Sequence, residues 1–222
     1  MYIVYCRWRI VFHGAIDGYS RFIVFLEASD NNRKQTVADH FLRATQLYGV
    51  PSRIRVDHGG ENTTVCEIME GVRGANRGSA IRGASVHNQR IERSWLDLWN
   101  GVSNLYYDVF TFLESRGSLD VENQSQMWAL HYTFMPRIRR DLKRYVIQWN
   151  NHGLRTERHS TPLQIFVQRS LHLSLTNILP AADALSRFDN LLEEDWAQQP
   201  TEHDPAIECP LSNDQLDEVH HL

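Results

Sequence analysis

The first thirty residues contain two apolar runs separated by a short polar turn. Residues 8–16 (WRIVFHGAI) and 21–28 (RFIVFLEA) are rich in β-branched and aromatic side chains, which favour strands. Between them, residues 17–20 (DGYS) include Asp and Gly, which tolerate the backbone angles of a tight turn. The pattern therefore predicts two antiparallel strands joined as a hairpin.

The next segment changes to helical spacing and then to another strand. Apolar residues recur at near-helical intervals over 37–48, and Gly49 with Pro51 ends the helix. Residues 53–56 (RIRV) predict a short strand that runs into Asp57. The predicted order is therefore strand, strand, helix, strand.

Residues 58–87 are rich in glycine. A short helix near Thr64–Glu70 fits within this stretch, and Arg73, Arg77 and Arg82 follow among the glycines. We expect the part beyond the helix to be a mobile basic loop.

The second half of the chain is helical. One apolar stripe begins at Ile91 and includes Trp95, Leu98, Trp99 and Val102. Further helices are predicted near 104–116, 124–135 and 136–151, with Pro136 opening the third of these. Thr161-Pro162-Leu163-Gln164 forms a capping box, so a last helix runs from there to about His172. The four tryptophans on these helical stripes (Trp95, Trp99, Trp128, Trp149) are expected in the core rather than as platforms for bases.

Charge is distributed unevenly along the chain. The formal net charge is −4, yet the ten Asp and Glu residues from Asp189 onward are accompanied by no Lys or Arg. Residues 1–188 therefore carry 23 basic and 17 acidic groups, a net charge of +6, and 21 of the bases are Arg. Because the guanidinium fork suits phosphate contacts, this part is a plausible binder of polyanions.

These patterns divide the chain into three parts. We expect a domain with its helical extension over 1–172, a helix or linker over 173–197, and an acidic, disordered tail over 198–222. The three cysteines are far apart, so neither a disulfide framework nor a cysteine-rich zinc site is indicated. No apolar run is long enough to span a bilayer, and the apolar start of the chain lacks a signal-peptide cleavage site, so we expect neither membrane association nor secretion.

Two carboxylates stand out by their context. Asp57 ends a short strand, and Glu92 lies in a helix 35 positions later. Phosphoryl transfer needs carboxylates that converge from separate elements, because two hard divalent cations must be held about 4 Å apart. The spacing alone is a weak signal.

The sequence motifs around these two carboxylates make the signal more specific. Residues 15–21 (AIDGYSR), 55–62 (RVDHGGEN) and 87–93 (HNQRIER) resemble, in order, the "A-x-D-x-x-S-R", "D-x-G-x-E" and "N-x-x-x-E-R" blocks of integrase-core proteins. Residues 149–152 (WNNH), 155–156 (RT) and 161–162 (TP) look like the family's closing segment. The similarity extends over roughly residues 8–167 and is greatest to the cores of eukaryotic Ginger-like transposable elements.

The resemblance implies a fold, an activity and a cofactor. It implies an α/β, ribonuclease-H-like fold, with a five-stranded mixed sheet flanked by helices. It also implies an Asp-Asp-Glu triad that binds two Mg²⁺ or Mn²⁺ ions, one activating the attacking oxygen and the other stabilising the leaving oxygen. Carried over residue by residue, Asp57 is the second acid and Glu92 the third. The partners implied are DNA and further copies of the chain, and a nuclear location follows from the DNA.

The first acid of the triad is missing. In the family it lies on the first strand, upstream of the hairpin, whereas residues 1–7 contain no Asp or Glu and only two strands are predicted before the first helix. Asp17 is the alternative candidate, but turn chemistry already explains it. We therefore expect a chain that lacks the family's first strand, through a shortened gene model or a decayed copy.

Other residues are weaker candidates. Glu61 suits a helix start or a supporting place beside the metal site. His13, His58 and His87 show no metal-ligand spacing, so structural or exposed roles are expected, with substrate contact a lesser alternative for His58 and His87. Three functions remain: metal-dependent cleavage and joining of DNA ends, a non-catalytic DNA-binding or regulatory remnant, and a plain ribonuclease-H-like nuclease. The third would not carry the integrase-core motifs found in this sequence.

Overall fold

The computed structural model describes residues 2–83 and 89–175 and shows a mixed α/β fold. The side chains of residues 2–6, 89, 90, 92 and 173–175 are not described. The predictions made for His87, for the linker beyond residue 175 and for the acidic tail lie outside the described residues.

The chain begins with a three-stranded antiparallel sheet of order β1-β2-β3, formed by β1 (Tyr2–Tyr5), β2 (Ile10–Ile16) and β3 (Ile23–Ser29). The predicted hairpin is confirmed as β2 and β3, whose register pairs His13 with Glu27 and Ala15 with Phe25. The sequence analysis expected the strand before the hairpin to be missing, but β1 is present there and pairs antiparallel with β2. Its four residues are too few to show an alternating pattern, which is why the sequence did not reveal it. Its four residues (YIVY) include no carboxylate.

A second layer follows the first sheet. It contains α1 (Lys34–Tyr48), β4 (Ile54–Val56), α2 (Thr63–Arg73) and β5 (Ala80–Arg82), and β4 pairs in parallel with β5. The expectation of a mobile loop beyond the short helix is therefore wrong for residues 80–82. The five strands of the described residues form two sheets rather than the single mixed sheet that the resemblance implied.

The remaining elements are helices. They are α3 (Gln89–Leu98), α4 (Asn104–Ser115), α5 (Gln124–Asn151) and α6 (Pro162–Leu175). A π turn over Trp99–Ser103 joins α3 directly to α4. The capping box is confirmed: Thr161 N–H donates to Gln164 Oε1 at 2.9 Å, and Gln164 N–H donates to Thr161 Oγ1 at 3.1 Å.

Pro136 does not open a helix as predicted but lies inside α5. Proline in a helix interior removes one backbone hydrogen bond and costs about 3 kcal/mol. The helix continues because Met135, Ile138 and Leu142, on both sides of the proline, are buried in the core. Tertiary packing thus outweighs a local signal to stop.

Two hydrophobic clusters hold the layers together. The larger packs β2 and β3 against α3, α4 and α5, and includes Trp8, Phe12 and Trp95. The smaller packs α1 against α2 and β4. Trp99 and Trp149 lie at the edge of the larger cluster, as expected, whereas Trp128 stacks on Tyr132 at a ring distance of 4.9 Å. None of the described helices is both long and apolar enough to span a membrane.

Candidate active site

Asp57 lies directly after β4, where the backbone leaves the parallel pair of strands. The carboxyl ends of parallel strands are where α/β folds place their ligand-binding groups. Asp57 is half-buried, and its Oδ1 accepts hydrogen bonds from Asn62 Nδ2 at 2.7 Å and from the Gly59 N–H at 3.4 Å. No hydrogen bond among the described residues uses Oδ2. One oxygen of this carboxylate is therefore fixed and the other is open.

Glu61 is buried beside Asp57, with 8% of its surface exposed. Burial raises the pKa of its carboxyl group, and the nearby Asp57 raises it further. The Glu61 carboxylate folds over Gly59 so closely that a side chain there would clash: a Cβ on Gly59 would lie about 2.0 Å from Glu61 Oε1. The glycine thus makes room for the second carboxylate of the site.

Asn62 connects the two acids. Its Nδ2 group donates to Asp57 Oδ1 and, at 2.9 Å, to Glu61 Oε1. A single amide therefore fixes an oxygen of each carboxylate, and the turn over Gly60–Asn62 places it there. The sequence analysis gave Asn62 no role, although its place five residues after Asp57 in a tight turn was a usable signal.

Glu92 lies in α3, at the end of its first turn, and its side chain is not described. The helix is anchored three residues later by Trp95, which is 7% exposed and packs over Gly14 of β2. The structure thus brings together Asp57, Glu61 and Asn62. It also shows that the packing of Trp95 on Gly14 fixes the helix to which Glu92 belongs. Whether the two predicted catalytic acids converge stays a prediction.

Asp17 serves the turn between β2 and β3. Its Oδ2 accepts hydrogen bonds from the N–H of Tyr19 at 3.1 Å and from the N–H and Oγ of Ser20, both at 2.7 Å. Its backbone N–H donates to Phe22 and its carbonyl accepts from Arg21. A carboxylate with these local bonds has the structural role that the turn chemistry predicts.

The closing WNNH segment is tied to the same turn. Trp149 Nε1 donates to the Arg21 carbonyl at 2.9 Å, and the side chain of Asn150 bonds both backbone groups of Ile23. Asn150 accepts from the Ile23 N–H at 2.8 Å and donates to its carbonyl at 3.1 Å. These bonds from Trp149 and Asn150 to Arg21 and Ile23 form one structural clamp between two motifs 127 residues apart.

The histidines near these motifs differ in exposure. His13 is buried on β2, where its Nε2 lies 3.1 Å from the Asn31 carbonyl oxygen, and burial lowers its pKa. His58 is exposed next to Asp57. His87 lies outside the described residues. The expectation of structural or exposed histidines is thus met by His13 and His58.

The donor set at the end of β4 suits a hard cation. Asp57 and Glu61 offer carboxylate oxygens and Asn62 offers an amide oxygen, which are the ligand types that Mg²⁺ and Mn²⁺ prefer. Within the described side chains, His, Cys, Asp and Glu form no cluster of three that could hold a metal. The residues present therefore fit part of a divalent-metal site, and further ligands must come from outside this turn.

Three exposed arginines lie along the small sheet. Arg53 and Arg55 are exposed on β4 and just before it, and Arg82 is exposed at the end of β5. Arg82 also faces α2, where Cys66, Glu67 and Glu70 raise the pKa of its guanidinium. Arg53 and Arg55 form no ion pair with another described residue.

The comparison with protein families agrees with the motifs of the sequence. A family model described as the integrase core domain matches residues 3–179. Among curated proteins, none is significantly similar to the chain. A solved structure titled as the HTLV-2 integrase catalytic core domain in complex with magnesium, in a trimeric form, aligns with a TM-score of 0.46 and 14% identity, covering 75% of this chain and 90% of that one.

Proposed function

Because this chain belongs to the integrase core domain family, we propose that its function is metal-dependent polynucleotidyl transfer on DNA. The observation that carries the proposal is the carboxylate of Asp57 at the end of β4, with one oxygen held by Asn62 and the other open. Glu92, from α3, is proposed as its partner in holding the metal.

Divalent metal ions supply the reaction with an activated oxygen nucleophile and a stabilised leaving oxygen. We propose Mg²⁺ or Mn²⁺, two ions as in the family, because the donors at the end of β4 are oxygens. Asn62 holds Asp57 through one oxygen, and the other oxygen takes no part in the hydrogen bonds of the turn. Gly59 keeps the backbone clear for Glu61, which adds a second carboxylate to the same electrostatic environment.

DNA is the proposed substrate and partner. Residues 1–188 carry a net charge of +6, 21 of their 23 basic residues are arginine, and Arg55 lies exposed on β4, two residues before Asp57. Arginine contacts to phosphates position a duplex without reading its sequence. A nuclear location and assembly into a homo-oligomer on two DNA ends complete the proposal, together with an origin in a transposable element.

A strand-transfer assay in Mn²⁺ tests the catalytic assignment. The full chain, Asp57→Ala and Glu92→Ala are compared for joining of labelled DNA ends, together with titration of Mn²⁺ into each protein. We expect each substitution to lower joining by about a thousandfold or more, because each removes a ligand of the paired-metal site. We also expect each to weaken Mn²⁺ binding.

Asp108→Asn provides the matched control, since Asp108 is an exposed carboxylate on α4 and its substitution should leave both measurements unchanged. Joining that survives both Asp57→Ala and Glu92→Ala would show that the catalytic assignment is wrong.

A non-catalytic DNA-binding protein is the second candidate. The observation that favours it is the first sheet: β1 contains no carboxylate, and the Asp17 carboxylate is engaged in its turn. Under this proposal the chain binds DNA with strong salt dependence but binds no Mn²⁺ at Asp57, and Asp57→Ala leaves DNA affinity unchanged. The Mn²⁺ titration therefore separates the two functions.

A further inference from the structure

Gly59 and Glu61 fit each other closely in the turn after β4. Gly59 has φ −64° and ψ 138°, an extended conformation that any residue adopts, so its backbone does not require glycine. A Cβ at this position would nevertheless lie 2.0 to 2.4 Å from the carboxyl atoms of Glu61. A Cβ on the neighbouring Gly60 would meet nothing within 4 Å. What glycine provides at position 59 is therefore room for one carboxylate.

Glu61 in turn holds the amide of Asn62. Asn62 is buried, and its Nδ2 group lies 2.9 Å from Glu61 Oε1 and 2.7 Å from Asp57 Oδ1. Because a carboxylate only accepts hydrogen bonds, the amide must turn its NH₂ group, and not its oxygen, towards both acids. Asp57 alone would give this group one partner. Glu61 gives it a second, so both amide hydrogens are used and the orientation of the amide is fixed.

The last contact leads to Asp57. Its Oδ1 accepts from Asn62 and, at 3.4 Å, from the Gly59 N–H, whereas no hydrogen bond among the described residues uses its Oδ2. Bonds to one oxygen restrict the rotation of a carboxyl group and so direct the other oxygen. Groups that bond a metal ligand in this way orient it and tune its affinity for the metal. A chain of contacts thus runs from Gly59 through Glu61 and Asn62 to Asp57.

We propose that Asn62 is a positioning residue of the candidate active site, and that Glu61 acts through it by fixing the amide that holds Asp57. The inference rests on the proposed function, since it takes Asp57 as a metal ligand. It gives Gly59 and Glu61 a shared purpose, which is the orientation of one oxygen of Asp57.

Titration of Mn²⁺ alone into the full-length chain, followed by the electron paramagnetic resonance of the free ion, tests the role of Asn62. We expect Asn62→Ala to weaken Mn²⁺ binding by about tenfold to a hundredfold, the range for loss of a group that bonds a metal ligand. Circular dichroism at the same temperature verifies that the variant is folded. A variant that is less stable but still folded would keep the dissociation constant of the unchanged chain, so a purely structural role would leave this measurement unaltered.

Two substitutions at position 61 separate positioning from direct metal binding. Glu61→Gln keeps an acceptor oxygen for the Asn62 amide and removes the charge, whereas Glu61→Ala removes both. We expect Mn²⁺ binding to weaken by less than about threefold in Glu61→Gln and by about tenfold in Glu61→Ala. Equal losses would mean that Glu61 acts by its charge or as a ligand, which contradicts its proposed role. Glu67→Ala is the matched control, since Glu67 is an exposed carboxylate on α2.

The close fit of Gly59 and Glu61 allows a test by non-additivity. Gly59→Ala displaces the Glu61 carboxylate, so it should weaken Mn²⁺ binding about as much as Glu61→Ala does. The double substitution should be no weaker than either single one, because the added methyl group then meets no carboxylate. Gly60→Ala is the control and should leave Mn²⁺ binding unchanged. Additive losses would refute the shared purpose of the two residues.

Hydrogen exchange of the Asn62 side-chain amide tests the bridge without metal. We expect its hydrogens to exchange with water about tenfold more slowly than those of the exposed Asn100, and to lose this protection in Asp57→Ala and in Glu61→Ala. Unprotected hydrogens in the unchanged chain would overturn the proposal whatever the metal titration gives.

The proposed function and this inference fail in different ways. If the unchanged chain binds no Mn²⁺, or if Asp57→Ala binds it fully, both are wrong. If Asp57→Ala loses Mn²⁺ and Asn62→Ala binds it as the unchanged chain does, the positioning role alone is wrong and the proposed function stands.

Discussion

Asn150 shows how one polar side chain fixes the position of two distant segments. It is 6% exposed, and its amide satisfies both the N–H and the carbonyl of Ile23, as a neighbouring strand would. Buried backbone groups that lose their partner cost about 1–3 kcal/mol each. The asparagine at this position therefore completes the hydrogen bonding of β3 where the strand begins.

We predict that Asn150→Ala lowers the free energy of unfolding by about 2–4 kcal/mol, because two buried backbone groups lose their partners together. Chemical denaturation monitored by circular dichroism measures the change. Asn151→Ala is the matched control, since Asn151 is exposed and its side chain bonds only the Ile147 carbonyl of its own helix. A loss of stability that is equal in the two variants would contradict the clamp.

Residue-scale features were predictable from sequence only where both partners are close in the chain. The Asp17 turn and the Thr161–Gln164 capping box join groups three residues apart, and both were predicted. The bonds from Asn150 to Ile23 span 127 residues, so no local pattern contains them. The bridge from Asn62 to Asp57 lies between these cases: its spacing was visible, but the direction of the side chain was not.

At the scale of elements, α3 packs on β2 through a contact between a large residue, Trp95, and a small one, Gly14. A Cβ added to Gly14 would lie 2.9 Å from Trp95 Cη2 and 3.1 Å from Leu26 Cδ1. The tryptophan therefore approaches the strand backbone more closely than any other residue at position 14 would allow. Since Glu92 lies on the same helix, this contact also sets the position of the proposed catalytic element.

We predict that Gly14→Val destabilises the protein by about 1–3 kcal/mol, because Trp95 and Leu26 must move apart. If the proposed function holds, DNA joining should fall by more than the loss of folded protein explains, since α3 is displaced. Thermal unfolding and the joining assay measure the two effects. Gly18→Ala is the control, because a Cβ there meets nothing within 4 Å. Unchanged thermal unfolding of Gly14→Val would show that the packing of Trp95 on Gly14 does not position α3.

Element types were predicted better than their connections. The sequence correctly indicated β2, β3, α1, β4 and the last helix, since each has a clear period or a clear end signal. It missed β5, which has only three residues and depends on β4 for its hydrogen bonds. It also divided α5 at Pro136, because burial on both sides of the proline cannot be read from the sequence around it.

For the molecule as a whole, three buried histidines make the free energy of unfolding depend on pH. His13, His40 and His131 come from β2, α1 and α5, and burial is the largest cause that lowers the pKa of each. The pKa of His40 falls to about 4, and the rings of His13 and His40 lie 5.5 Å apart. The folded protein therefore keeps these side chains neutral at pH values where the unfolded chain protonates them.

We predict that stability decreases as the pH falls below about 6.5, the usual pKa of an unfolded histidine, and continues to decrease towards the folded value for His40. The sign follows because the unfolded state binds more protons in this range. Urea unfolding at about pH 7.5 and about pH 5 should give a smaller pH effect in His40→Gln than in the unchanged chain. His159→Gln, at an exposed position, should keep the full effect. Equal pH effects in all three proteins would contradict the assignment to His40.

The π turn over Trp99–Ser103 has a consequence for how the helical half tolerates changes in length. A π turn contains one more residue than an α-helical turn, so it can be regarded as a one-residue insertion absorbed by the helix. Deleting Gly101 would remove that extra residue and let the segment close as an ordinary α-helical turn, so α3 would keep nearly the same rotation relative to α4. Deleting Leu96, outside the π turn, would instead rotate the preceding part of α3 by roughly 100°. Trp95 would then leave Gly14, and the backbone of Glu92 would turn with it. The π turn is therefore the place in the helical half where a change of one residue in length is tolerated best.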